Sequence, residues 1–301
     1  MSRETLNVFT NPTAGRGRAA RRMPAIRDVF VSAGFDVRIH ESRGPRDLEE
    51  AILEHGRAGG RRAIVVGGDG SIHEAVNGIL RSGEDVALGV IPAGTGNDFA
   101  KAIGVTLDWQ DAATLLADNL QIDNGGSRID VGRMNGRYFA NGAGIGFDAK
   151  VTALARAYRW PIGDAVYLLA IFRAFIGGVA TPPLKIETGD GEVLWDGPLT
   201  LANMSNGPWV GGMFHIAPMA RNNDGHLELL IAAPVTRRRI VGLLPKLIAG
   251  KHMGETEIVH HEVRTLTIEG ETELPSHLDG EVQAPTNSFR IELLPGALTL
   301  V

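Results

Sequence analysis

The chain has 301 residues, 44% of them hydrophobic and 22% charged, which is enough apolar matter for one large domain or two ordinary ones and carries no signature of disorder. A formal net charge of -5 argues against a protein held by nucleic-acid phosphates, so no nucleic-acid partner is expected. The absence of cysteine excludes a disulfide framework, a thiolate zinc site and a cysteine nucleophile, and suits a cytoplasmic protein.

The first twelve residues hold no apolar stretch fit for a signal peptide. Residues 161–179 are the best transmembrane candidate, but Asp164 and Arg173 interrupt them below the ~18 uncharged residues that a spanning helix needs. No transmembrane segment is therefore expected, and any membrane is met from the side.

Residues 6–10 read as a short apolar strand. Met23, Ile26, Phe30 and Ala33 then recur at helical spacing, and 35–40 alternate as a strand does. A second helix is expected to open at Pro45, with Leu48, Ala51, Ile52 and His55 on one face. Residues 63–66 form a buried strand, Ile72, Val76, Ile79 and Leu80 stripe the helix after it, and 88–92 form a fourth strand. This alternation predicts a Rossmann-like parallel α/β domain over residues 1–125.

Beyond that point the character changes. Residues 128–134 and 137–141 flank Asn135-Gly136, a tight hairpin signal. Strand-like runs follow at 183–188, 199–204, 226–232, 262–268 and 289–294. Helical stretches interrupt them at 147–178, broken at Pro161, and at 236–250. We expect an antiparallel β-sandwich domain with helical insertions over 126–301, its last few residues returning to the first domain.

The segment Val65-Val66-Gly67-Gly68-Asp69-Gly70-Ser71 joins a buried strand to a helix start. Its glycines let backbone amides approach an anion, and the helix N-terminus adds a favourable dipole. Asp69 would repel a bare phosphate, and makes sense if a divalent cation lies between them; a tight turn with a capping aspartate is the plainer alternative. Pro92-Ala93-Gly94-Thr95-Gly96-Asn97-Asp98-Phe99-Ala100 follows the next strand, and Asn11-Pro12-Thr13-Ala14-Gly15 follows the first. Consecutive parallel strands end on one sheet edge, where ligands of open α/β folds bind, so Asp69 and Asp98 are expected to face one crevice. No P-loop occurs. Gly15-Arg16-Gly17-Arg18-Ala19-Ala20 fits a dinucleotide fingerprint, with Glu41 closing the second strand, but that reading leaves the other two glycine turns unexplained.

Asn-Pro-x-x-Gly at 11–15, Gly-Gly-Asp-Gly-Ser at 67–71 and Pro-Ala-Gly-Thr-Gly-Asn-Asp-Phe-Ala at 92–100, in that order, resemble the bacterial diacylglycerol kinase and YegS-like lipid kinase family. That family shares its N-terminal fold with NAD kinases and sphingosine kinases. The likeness continues through Ile129-Asp130-Val131-Gly132, residues 141–148, Ala217-Pro218, Asp224-Gly225 and Leu278-Asp279-Gly280-Glu281, nearly the whole chain.

The resemblance implies transfer of the γ-phosphate of ATP, with Mg2+, to a lipid hydroxyl in a cleft between the domains, diacylglycerol being the favoured acceptor. It implies that ATP lies against Asn11, Pro12, Thr13, Ala14 and Gly15, and against Gly67, Gly68, Asp69, Gly70, Ser71, Ile72, His73 and Glu74. Ser42, Thr95, Gly96, Asn97 and Asp98 would add contacts. Asp69, Asp98 and Asp130 match the acidic cluster that organises Mg2+. Glu281 matches the catalytic base, with Asp279 beside it, although on its own Asp279-Gly280-Glu281 reads as a solvated turn. Asp224, with main-chain oxygens of Arg221 and His226, matches a structural metal position. Ser71 stands where the family more often has threonine, and the hydroxyl is kept.

Other constellations carry less. His260 and His261, adjacent on a strand, point to opposite faces and read as surface. His73-Glu74 lacks the second histidine of a zincin, since position 77 is Asn77. Tyr167, Leu168, Leu169, Ile171, Phe172, Phe175 and Ile176 form an unusually apolar helix, and Arg237, Arg238 and Arg239 precede Ile240, Leu243, Leu244, Leu247 and Ile248 as in an interfacial helix. Either could face the core or dock on a membrane. The expected setting is the cytoplasmic face of the membrane, and a homodimer is compatible with the sequence. An NAD-kinase-like enzyme, a sphingoid or phosphatidylglycerol kinase, and a non-catalytic nucleotide or lipid sensor are the alternatives.

Overall fold

In the computed structural model, which describes residues 3–122, 126–157, 165–176 and 178–301, the strand–helix alternation of the first third folds as a parallel sheet. Its elements are β1 (Thr5–Thr10), α1 (Ala14–Ser32), β2 (Asp36–Glu41), α2 (Asp47–Arg57), β3 (Arg62–Gly67), α3 (Asp69–Ser82), β4 (Ala87–Pro92), α4 (Asp98–Ala102) and α5 (Trp109–Ile122). The strands stand in the order β2-β1-β3-β4, all parallel. Ala19, Met23, Ile26 and Phe30 of α1 and Leu116 and Leu120 of α5 pack with Val8, Ile64, Val66 and Ile91 of the strands. On alternate strand positions the side chains turn to the other face, where Phe9 meets His55 of α2 edge-on. Burial on both faces explains why β3 and β4 read as unbroken apolar runs, whereas β2 at the edge alternates.

α2 opens at Asp47, two residues later than Pro45 had suggested. Arg46 is left-handed (φ 66), and the carboxylate of Glu74 accepts the N–H groups of Arg46, Leu48 and Glu49 at 3.1, 3.2 and 3.3 Å. A cap supplied from 25 or more residues away leaves no local mark in the sequence. α4 and α5 have no counterpart among the expected elements.

The second part comprises β5 (Ser127–Met134), β6 (Arg137–Phe139), β7 (Gly142–Gly146), α6 (Phe147–Ala157), α7 (Ala165–Ile176), β8 (Pro183–Thr188), β9 (Val193–Pro198), β10 (Leu201–Ser205) and β11 (Leu227–Ala232). It continues with α8 (Arg237–Ile248), β12 (Ile258–Val263), β13 (Thr265–Leu274), β14 (Ser276–Leu278), β15 (Glu281–Val282) and β16 (Thr286–Leu300). One antiparallel layer runs β16-β13-β8-β9, with the β5–β6 hairpin on β16; the other runs β12-β11-β10-β7-β14-β15. Phe139, Ile145, Met204, Leu229, Ile268 and Phe289 are fully or nearly fully buried between them, each contributing roughly 1.5–3 kcal/mol of burial free energy. Asn135 (φ 48) and Gly136 (φ 86) make the tight turn that their order predicted.

The run 262–268 is two strands, not one. Val263 ends β12 in one layer, Leu266 lies in β13 of the other, and the chain turns the corner at exposed Arg264, whose carbonyl accepts the Leu293 N–H at 2.8 Å. α6 and α7 fill the stretch 147–178, and the break expected at Pro161 lies outside the described residues. The chain forms two compact units, Met1–Asp130 with Gly296–Val301 and Val131–Pro295. Within the first, the end of β16 adds Leu300 beside Leu88 of β4.

Candidate active site

The ends of the parallel strands bring the three glycine turns together. At the first, Asn11 Oδ1 accepts from Thr13 N–H (3.0 Å) and Thr13 Oγ1 (2.7 Å), and Gly15, Arg16 and Gly17 are all left-handed. A Cβ on Gly15 would stand 1.9 Å from the Ala93 carbonyl oxygen. The second and third turns touch through Gly68 and Gly94, where a Cβ on Gly94 would lie 2.4 Å from the Gly68 Cα. Only glycine permits backbones this close. Arg18 staples the first turn to the third, donating to Gly15 O (3.1 Å) and Gly94 O (2.5 Å). Asn97, itself left-handed, accepts the Gly94 N–H at 2.9 Å. Ser42 joins the same edge, its N–H donating to Thr10 O at 2.8 Å, and Thr95 is exposed at the tip of the third turn.

α3 starts in the second turn with no side-chain cap on Gly68, so its dipole and main chain face the turn. Beyond Gly70 the helix turns inward. Ser71, Ile72 and His73 are buried, and Asn77 Nδ2 donates to the His73 carbonyl at 2.9 Å. A phosphate could meet these three only through their main chain, and Glu74 is committed to capping α2.

The acidic residues are less gathered than expected. Asp69 Oδ1 accepts the Phe99 N–H at 3.1 Å, which sets it beside Asp98. Asp98 is buried and paired with Lys101 Nζ at 2.8 Å, and Asp130 is buried with Oδ1 on the Gly296 N–H at 2.7 Å. Among the described residues no group of three or more His, Asp or Glu is placed to hold a metal ion, and each of these carboxylates has a local partner. Mg2+ binds through one or two carboxylates and substrate phosphates rather than an all-protein cage, so Asp69 still fits a cation shared with a nucleotide. Asp224 closes its own turn, accepting the His226 N–H at 3.1 Å, and Arg221 is exposed.

In the second unit Asp279 (φ 49) and Gly280 (φ 82) form the tight turn of the β14–β15 hairpin, with Glu281 opposite Leu278. The Asp279 carboxylate accepts N–H groups from Ala140 (3.0 Å), Asn141 (2.8 Å) and Gly142 (3.0 Å). Charge-assisted bonds to three amides make it an anchor of the turn. Glu281 is about one-third exposed, with Arg156 of α6 at 2.5 Å from its Oε2.

Behind the turn His277 Nε2 lies 2.8 Å from Asp148 Oδ1, and Asn203 Nδ2 donates to Asp148 Oδ2 at 3.3 Å. Burial opposes ionisation of Asp148, but the His277 ring and the Asn203 amide more than offset it and hold the carboxyl below the usual range. Burial likewise opposes a charged His277, while Asp148 draws its pKa upward. The Gly280 N–H faces Nδ1 at 3.3 Å, which assigns the ring proton to Nε2. None of Arg18, Asp148, Arg156 and His277 stood out in the sequence. Asp148 closes a segment of family likeness, the one signal available.

The two apolar helices are core-facing, each with an exposed edge. Phe147 and Val151 of α6, Ile171 of α7, Leu244 and Leu247 of α8, and Phe214 surround an apolar cavity of about 140 Å³. Phe172 and Ile176 of α7 are 52% and 82% exposed, and Arg237 and Arg238 of α8 are exposed too. Arg239 instead pairs with Glu257 and Glu255, so the expected three-arginine face is reduced to two; the same pairing holds the Glu257 carboxyl at about 2. A larger hollow of about 730 Å³ in the first unit is lined by Arg62 and Ala87, at the opposite strand ends from the glycine turns, and contains none of the candidate residues. The histidine pair is half-buried rather than superficial: His260 pairs with the buried carboxylate of Glu228.

Comparison with known proteins follows this division. The diacylglycerol kinase catalytic domain model matches residues 5–134, and the YegS C-terminal NAD kinase beta sandwich-like domain model matches 142–301. The chain is 33% identical to a probable YegS-like lipid kinase of Chromohalobacter salexigens, over 94% of this chain and 90% of that one. It is 29% identical to a diacylglycerol kinase of Mycobacterium tuberculosis, over 98% and 94%. The crystal structure of a putative diacylglycerol kinase from Bacillus anthracis superposes with a TM-score of 0.80 at 27% identity, covering 100% of this chain and 98% of that one.

Proposed function

Because the chain belongs to the diacylglycerol kinase and YegS-like lipid kinase family, phosphotransferases with an alcohol group as acceptor, we propose that it transfers the γ-phosphate of ATP to the hydroxyl of diacylglycerol, giving phosphatidic acid. The observation that carries the choice of a lipid over a nucleoside is the apolar cavity. It is walled by α6, α7 and α8 in the unit that bears Glu281, and its lining suits an acyl chain.

The division of labour follows from the chemistry. Phosphoryl transfer asks a protein mainly for positioning and charge neutralisation. The three interlocked turns supply closely spaced main-chain donors for the phosphates of ATP, and Arg18 keeps the first and third in register. Asp69 would hold Mg2+ together with those phosphates, with Asp98 paired to the Lys101 ammonium and Asp130 bracing the main chain at Gly296. When bound, the cation neutralises charge on the phosphate oxygens. Glu281 accepts the proton of the lipid hydroxyl as general base. Asp279 serves by fixing the turn, and we assign it no proton transfer. Asp224, with the carbonyls of Arg221 and His226, would offer a metal one carboxylate and main-chain oxygens, a ligand set for a hard cation.

The exposed edge of α7, Phe172 and Ile176 with Arg173, and Arg237 and Arg238 of α8 combine apolar and cationic groups as an interfacial surface does. We assign it docking on the anionic cytoplasmic face of a membrane, since no helix among the described residues is long and apolar enough to cross one.

The test of the reaction supplies γ-labelled ATP and Mg2+ with mixed micelles of diacylglycerol, phosphatidylglycerol or a sphingoid base, and with NAD in parallel. Label is expected in phosphatidic acid. Label in NAD alone would move the acceptor to a nucleotide and overturn the reading.

A further inference from the structure

α6 reaches the hairpin of Glu281 from both of its ends. At its start, Asp148 orients the ring of His277, and the Nδ1 of that ring accepts the Gly280 N–H at 3.3 Å. Near its end, the Arg156 guanidinium lies 2.5 Å from Glu281 Oε2 and donates to the Gly280 carbonyl at 3.1 Å. The residue preceding Glu281 is thus held at its N–H through one end of the helix and at its C=O through the other.

The first of these contacts is built into the interior. The His277 and Asp148 side chains are 1% and 15% exposed. A Cβ on Gly144 would stand 2.0 Å from Asp148 Oδ2 and 2.5 Å from His277 Nε2, so the pair fits only over a glycine. Ser205 Oγ donates to Asn203 Oδ1 at 2.6 Å, and Asn203 in turn donates to Asp148, extending the polar chain into β10. Stability alone is a poor reason for such a pair, because the desolvation of two buried charges offsets much of their attraction. Buried polar chains instead fix one geometry.

The inner face of the same helix is apolar. Phe147, Val151 and Ala155 pack with Ile171 and Phe175 of α7, and Phe147 and Val151 also wall the cavity. One rigid element therefore touches both the space assigned to the acyl chain and the carboxylate assigned as base.

We propose that Arg156 and His277 are positioning residues that hold Glu281, through α6, where the hydroxyl of a lipid in the cavity presents its proton. The proposal rests on the reading of Glu281 as general base. Neither residue is assigned a contact with the lipid hydroxyl or the transferred phosphate. Arg156 orients the carboxylate directly, and His277 fixes the peptide before it.

The test is steady-state kinetics with diacylglycerol micelles and labelled ATP on Arg156→Ala, Arg156→Lys, His277→Gln and Glu281→Gln, each checked for an unchanged melting transition. Glutamine at 277 keeps a donor for Asp148 and removes the acceptor used by Gly280. Arg156→Ala and His277→Gln are expected to lower kcat about 10-fold or more with the KM for ATP unchanged, and Arg156→Lys to recover most of that loss. Unchanged kcat in Arg156→Ala, or a rise in either KM at constant kcat, would overturn the positioning role while leaving the base in place. Wild-type kcat in Glu281→Gln would remove the base itself, a separate and recognisable failure.

Discussion

Single residues show most plainly where the sequence speaks and where it is silent. The glycine turns are legible because a close backbone approach has a residue type of its own. Gly15, Gly68 and Gly94 stand where a Cβ would meet main-chain atoms of another turn at 1.9 to 2.7 Å. Gly94→Ala should therefore cost about 1–3 kcal/mol of stability by overpacking and weaken ATP binding, measurable by thermal melting with and without nucleotide. A stable Gly94→Ala protein with unchanged nucleotide affinity would contradict the packing of these turns. Arg18 and Arg156 give no such signal, since each reaches a carbonyl group far along the chain, 76 and 124 residues away. Glu74 belongs to the phosphate-binding stretch by sequence, yet its carboxylate caps another helix. Asp279 is matched to the site by resemblance, and its carboxylate accepts three amide N–H groups that no local pattern announces.

At the scale of elements, periodicity located the four parallel strands and α1 to α3, each of which keeps one rhythm, but not α4 and α5. It failed at corners. Residues 262–268 carry a continuous strand pattern, and nothing local marks Arg264 as the point of transfer between layers. Amphipathic pattern also could not say whether α7 and α8 face the core or the surface, since each does part of both: Ala170, Ala174 and Leu244 are buried while Phe172, Ile176, Arg237 and Arg238 are exposed. The docking role assigned to that outer surface predicts that Ile176→Glu, or Arg237→Glu with Arg238→Glu, reduces sedimentation with vesicles rich in anionic phospholipid. Turnover on short-chain, monomeric diacylglycerol should be unaffected. Vesicle binding equal to wild type in both variants would exclude this surface.

For the whole molecule, the order of motifs along the chain gave both the fold class and the family, because each motif records a backbone geometry that few residues can replace. What the order of motifs left open is which lipid is taken, since the apolar cavity proposed to receive it is assembled from three helices and the β layer beneath them. Nucleotide binding is assigned to the first unit, and acceptor binding and proton removal to the second. The two functions should then be separable by substitution. The most direct measurement is label transfer from γ-labelled ATP to diacylglycerol by Glu281→Gln beside wild type, with ATP affinity measured on the same samples. Transfer is expected to fall by about 100-fold or more with ATP affinity unchanged, the loss that follows removal of a general base. Transfer close to wild type would contradict Glu281 as the base and, with it, the mechanism proposed for this chain.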